Sequence, residues 1–201
     1  SYPGESAGMK KSVILLGYRH TLESPRTKFP EAELWGQSNA IPNWDWALYD
    51  WSRWFDIHTL RPQGAYAGIQ LMRPHILEWY SKQGPERPIY FAEKTPGVRA
   101  GRRYPLEEVE AMFGTGRFGC QLDYMMALAI LEGFTRIIFY GRGQPYVPEP
   151  DSDQAKHWLF HHHTVYYWMG QAEARGVELV YSGPCMNAPR AQRYGFEMGP
   201  Q

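Results

Sequence analysis

Short apolar runs recur along this chain and alternate with longer stretches of mixed character. The runs at Ser12–Gly17, Glu33–Gln37, Arg53–His58, Pro88–Ala92, Arg136–Tyr140 and Val177–Tyr181 each predict a strand. Two of them, V-I-L-L and I-I-F-Y, are apolar at consecutive positions, so both strand faces need cover. Between the runs, apolar spacing predicts helices at about Gln70–Lys82, Pro105–Met112, Gln121–Glu132 and His161–Arg175. Pro105 suits a first helical turn, and Gly133 and Gly176 suit helix ends just ahead of the next strand.

Strands that alternate with helices predict parallel neighbours joined by right-handed crossovers. The expected fold is therefore α/β: a Rossmann-like three-layer αβα sandwich with a mostly parallel sheet of about six strands. Its 201 residues, 43% of them hydrophobic, suffice for one core. Ser1 to Gly8, polar and rich in Gly and Ser, read as a cloning remnant ahead of Met9. Residues 9–201 then form a single Rossmann-like nucleotide-binding domain. No apolar stretch approaches the ~20 residues needed to span a bilayer. Cys120 and Cys185 offer neither a disulfide framework nor a metal spacing. A soluble, cytoplasmic protein without membrane partners is expected.

Formal net charge is zero, which removes any global pull toward nucleic acid. Locally, Arg99, Arg102 and Arg103 crowd one loop with Lys94, either as a patch for phosphates or as a solvated loop with mixed ion pairs. Eight tryptophans, four of them between Trp44 and Trp54, serve as core anchors or as a homodimer surface.

Candidate chemistry gathers where the runs end. Gly17 closes the first strand and Gly141 the fifth, places where open α/β sheets bind ligands and where a missing side chain lets a phosphate or ribose approach. Tyr18 and Arg19 follow the first glycine and Arg142 the second; the G-x-G-x-x-G fingerprint of a dinucleotide site is absent. Asn39, just past the second strand, can donate and accept toward a base edge or ribose. Asp56 and His58, two apart on a strand, share a face and either hold a ligand or serve the fold. His157, His161, His162 and His163 supply candidates for a general base, since imidazole titrates near neutrality. His157 and His161 also have an i,i+4 metal spacing, but no third ligand accompanies them. Asp151-Ser152-Asp153 matches the D-x-D of metal-dependent sugar transferases, in a Pro-rich loop. Walker, nucleophile-elbow and Cys/His patterns are missing.

Together, L-W-G-Q-S-N-A, R-W-F-D-I-H and Y-M-M-A-L-A-I-L-E-G-F-T-R-I-I-F-Y-G resemble small phage and bacterial Rossmann-like proteins. More remotely they resemble the CMP-binding bacterial sialyltransferases and the DUF115 group of motility-associated glycosyltransferases. The resemblance implies a nucleotide-sugar donor contacted by Gly17, Tyr18, Arg19, Asn39, Gln121, Gly141 and Arg142. It also implies a histidine base among His157 to His163 and direct displacement at an anomeric carbon, with no metal or other cofactor. Where the sialyltransferases carry G-N-G-P-S this chain has Gly17-Tyr18-Arg19-His20, and their helix-start serine is replaced around Gln121. A UDP-linked donor therefore stands beside a CMP-linked one. In a phage setting a hydroxymethylated DNA base becomes an acceptor, with Arg99, Arg102 and Arg103 on its phosphates. Two other functions remain open: a nucleotide-sequestering protein without turnover, and a diphosphokinase-like enzyme using a divalent metal at Asp151 and Asp153.

Overall fold

The computed structural model describes residues 11–17, 24–37, 50–57, 74–114, 116–141 and 153–182. Seven strands form one sheet: β1 (Ser12–Leu16), β2 (Glu33–Gln37), β3 (Arg53–Asp56), β4 (Ile89–Phe91), β5 (Gly101–Arg103), β6 (Arg136–Tyr140) and β7 (Glu178–Ser182). Their order is β5-β4-β3-β2-β1-β6-β7, with every neighbouring pair parallel. Among the described residues the α-helices are α1 (Pro74–Ser81), α2 (Leu106–Phe113), α3 (Gln121–Leu131) and α4 (Asp153–Glu173).

Side-chain alternation along the strands divides the interior in two. Val13, Leu15, Trp35, Phe55, Ile137 and Phe139 point to the face covered by α2, α3 and α4. Ile14, Leu16, Leu34, Trp54, Ile89 and Ile138 point to the face covered by α1 and by the segment around Phe29 and Ala32. That is the expected three-layer sandwich. Trp51 and Trp54 are buried there against Trp79, so these two tryptophans belong to the core and not to a dimer surface; Trp44 and Trp46 lie outside the described residues.

β5 is the strand missing from the expected six. It carries no large apolar residue and holds the sheet edge through backbone pairing with β4, anchored by buried Ala100 and Tyr104 on either side. The last helix begins eight residues before its expected start, at Asp153 rather than His161. Gly133 and Gly176 do end helices, each at φ 74°, a conformation that favours glycine. Pro105 is the N-cap of α2 rather than a first-turn residue.

Ionic pairs gather at the edge where the strands begin. The Arg53 guanidinium lies 4.7 Å above the Trp35 ring. It donates to Glu33 Oε2 at 2.8 Å and to Glu132 Oε1 at 2.6 Å, tying β2, β3 and the end of α3 together. Burial works against its charge, but the bonds and charges of Glu132 and Glu33 outweigh that and hold its pKa above the ordinary arginine value.

Candidate active site

All strands being parallel, their C-terminal ends share one edge. Along that edge the chain order reverses at β1: β2 lies on one side and β6 on the other, the switch point at which open α/β sheets bind ligands. Gly17 and Gly141 sit there as buried residues next to each other's strands. Gly17 N–H donates to Tyr140 O at 2.8 Å, which carries the β1–β6 ladder one step past the last paired residues, Leu16 and Tyr140. Gly141 leaves β6 at φ 68°, a turn that an L side chain resists.

On the α3 side of the switch point, Gln37 ends β2 with its side chain facing as Trp35 does. It is 4% exposed, and its Nε2 donates to Leu16 O at 2.8 Å, which places the amide beside Gly17. Helix α3 runs antiparallel to the strands: its end is held at the opposite edge by Arg53 through Glu132, and its start lies at this one. Gln121, its first residue, is buried, and Tyr104, just beyond β5, donates its hydroxyl to Tyr124 O at 2.9 Å. The start of α3 is closed by its own carboxylate: Asp123 Oδ2 accepts from Gly119 N at 2.7 Å and Cys120 N at 3.0 Å. Asp123 is fully buried, and its charge adds to burial in raising the pKa of the Tyr124 hydroxyl.

Helix α4 overhangs the edge. At ~1.5 Å per residue its 21 residues reach about 31 Å, roughly twice the length of a five-residue strand. The start of α3 meets α4 at Thr164, since a Cβ on Gly119 would press on Thr164 Oγ1 and the Phe160 ring. Residues 153–163 therefore stand beyond the sheet. Thr164, Val165, Trp168 and Ala172 form the buried stripe, and His161, one turn before Thr164 and Val165, extends that stripe out over the edge. His161 is half-buried and its carbonyl accepts from Thr164 Oγ1 at 3.1 Å. His157 precedes His161 by four residues in α4. His162 lies to the flank with its ring stacked near Tyr166, and His163 is exposed. Leu159 and Phe160 are about half exposed, as residues standing past the layer they would pack on must be.

Other sequence candidates fall elsewhere. Asp56 ends β3 on the opposite face, fully buried, accepting from Tyr80 Oη at 2.7 Å. Burial first, then the Asp56 charge, raises the Tyr80 pKa well above the ordinary phenol value. Arg102 and Arg103 lie on β5 and Arg99 just before it, with β4, β3 and β2 between them and the switch point. Arg103 pairs with Glu107 and Arg102 donates to Gly101 O at 3.1 Å, while all three side chains are exposed. Tyr18, Arg19, Asn39, His58, Arg142 and Asp151 lie outside the described residues.

Two further residues at this edge, Gln37 and Asp123, carry no distinctive signal in the sequence. Gln37 was visible only as the end of an apolar run, and Asp123 only as an acid three positions after a helix cap. Among the described residues, no three His, Cys, Asp or Glu side chains form a group that would hold a metal ion. No described helix is long and apolar enough to cross a membrane.

No protein-family model matches the chain, and no curated protein matches it. Among solved structures, a sialyltransferase from Campylobacter jejuni in complex with cytidine monophosphate is similar at 12% identity and a TM-score of 0.44, over 88% of this chain and 80% of that one.

Proposed function

We propose that this protein is a nucleotide-sugar-dependent glycosyltransferase whose donor lies across the β1–β6 switch point and whose general base is His161. The reading is supported by two buried glycines, Gly17 and Gly141, that end the neighbouring strands β1 and β6 at the switch point, on the edge where α4 with its histidines begins. The glycines leave room for a nucleotide to approach the backbone. Tyr18, Arg19 and Arg142, next to those glycines in sequence, supply charge-assisted donors for the leaving phosphate.

In the reaction the acceptor hydroxyl gives its proton to the imidazole while its oxygen bonds to the anomeric carbon. The bond from that carbon to the phosphate oxygen breaks, and the nucleotide leaves with the electron pair. Phe160, about half exposed and adjacent to His161 in the chain, offers an apolar surface for an acceptor ring. A hydroxymethylated base in DNA is one such acceptor. To use the Arg99–Arg103 edge as well, the DNA would have to cross four strand spacings, about 19 Å.

A thermal-shift screen with CMP, UDP, GDP, ADP and their sugar conjugates, with and without divalent metal, tests the proposal. Stabilisation by one nucleotide and its conjugate is expected, with transfer or slow hydrolysis of that conjugate. Binding without any turnover would turn the reading to a sequestering protein, and stabilisation only with metal to a diphosphokinase-like enzyme.

A further inference from the structure

We infer that the solvent face of α4 is a homodimer interface, on which a second copy of this chain lays its own α4 antiparallel about a two-fold axis between His163 and Tyr166. The surface lies on the side of α4 away from the sheet and does not depend on the transferase reading.

Thr164, Val165, Trp168 and Ala172 turn one side of α4 into the core. On the opposite side, Lys156, Leu159, His163, Tyr166, Gly170 and Glu173 are all exposed. They follow one another at intervals of three, four, three, four and three residues, the spacing of a coiled-coil seam. At ~1.5 Å per residue this stripe is about 25 Å long. Leu159 is 56% and Tyr166 51% exposed, so two large apolar side chains stand in it.

Gly170 is the member of the stripe that its own chain does not explain. Inside a helix, glycine costs about 1 kcal/mol relative to alanine. Gly170 is not among the glycines at positive φ, and beyond the helix's own backbone a Cβ there would meet no described atom within 4 Å. Neither a turn nor a crowded neighbour requires it. The space it leaves opens outward on the line of Leu159 and Tyr166, where a side chain from another molecule can come close to the backbone.

The stripe is complementary to itself when reversed. About an axis between His163 and Tyr166, Lys156 faces the partner's Glu173, Leu159 faces the partner's Gly170, and His163 faces the partner's Tyr166. The two-fold makes each pairing occur twice. Opposite charges then meet at both ends, leucine enters the space over glycine, and imidazole lies against phenol near the axis. A parallel arrangement would set lysine on lysine and glutamate on glutamate and would leave the space at Gly170 unfilled. The present contact of Lys156 with Asp153, 3.4 Å between exposed side chains, is too weak to withhold it. One helix per protomer makes a small interface, so a dissociation constant of about micromolar order is expected.

Sedimentation velocity of the full chain between about 1 and 100 µM tests this. The parent should pass from monomer to dimer over that range. Leu159→Asp and Gly170→Glu should each weaken the dimer about 30-fold or more, with circular dichroism showing the same fold. Lys156→Glu and Glu173→Lys should each weaken it about fivefold or more, and the double exchange should recover the parent's behaviour. A monomer throughout, or a dimer that Leu159→Asp leaves intact, would overturn the inference. A monomer whose melting temperature Leu159→Asp lowers would show this face covered by the same chain and overturn it equally. Single exchanges without loss, or a loss that the double exchange does not recover, would overturn the antiparallel register.

Discussion

Tyr80 donates its phenol to Asp56 Oδ2 across 2.7 Å in a layer where neither residue reaches solvent. A carboxylate at that depth depends on its donors, since losing one leaves charge that water cannot reach. Tyr80→Phe should therefore cost about 2 kcal/mol and lower the melting temperature by roughly 4–8 °C. In a cycle with Asp56→Asn, the double variant should lose less than the sum of the singles. Additive losses in chemical denaturation would mean that the pair is not coupled.

Gly36 is required by its neighbour on β3. A Cβ at that position would overlap the six-membered ring of Trp54, itself locked between Trp51 and Trp79. Gly36→Ala should destabilise the fold by about 2–3 kcal/mol, because a packed indole has nowhere to retreat. Urea unfolding measures this, and a neutral result would show that the tryptophan layer can shift.

Arg53 joins two carboxylates from different elements while lying over Trp35. Lysine cannot reproduce a planar fork that serves Glu33 and Glu132 together. Arg53→Lys should lower stability by about 2 kcal/mol, with the loss persisting in high salt because the pairs are partly shielded from solvent. Thermal melts at low and high ionic strength would reveal a loss of surface type if salt removed it.

Much of this architecture is legible from residue order, and the exceptions have physical causes. V-I-L-L and I-I-F-Y announce β1 and β6 because strands covered on both faces cannot afford polar positions. Gly133 and Gly176 announce the ends of α3 and α4 because the backbone turns left-handed there. β5 is silent because Gly101-Arg102-Arg103 gains its place from backbone pairing alone. The first half of α4 is silent because it stands beyond the sheet and needs no apolar stripe. At the site, Gly17 and Gly141 are readable as strand ends. Gln37 is not, because its role depends on β1 being its neighbour, and strand order is not written locally. Asp123 acquires a role only once Gly119 and Cys120 are seen to close on it.

Alkaline pH should unfold the protein early. Burial is the main cause that raises the pKa values of Tyr80, Tyr90, Tyr104 and Tyr124. Each phenol therefore keeps its proton in the folded state at a pH where the unfolded chain, titrating near 10, gives it up. The unfolded state then binds fewer protons, so stability is intact below about pH 10 and falls as pH rises beyond it. Melting temperatures taken between about pH 8 and 11 should show that fall, and Tyr104→Phe should flatten it. A flat profile would mean that these phenols ionise without unfolding.

Among the histidines of α4, His161 is the one proposed as the general base. His161 continues the stripe of Thr164, Val165 and Trp168 past the sheet edge, whereas His163 faces solvent and His162 turns toward Tyr166. A general base contributes about 10²–10⁴ to rate and little to ground-state binding. His161→Ala should therefore lower kcat by that factor and leave the donor dissociation constant within about threefold of the parent. His163→Ala should leave both unchanged. The pH profile of kcat/KM should lose its acidic limb in His161→Ala and keep it in His162→Ala, since only the base must be unprotonated to accept the acceptor's proton. Equal losses in His161→Ala and His162→Ala would place the base elsewhere, with His157, four residues earlier in α4, as the next residue to replace.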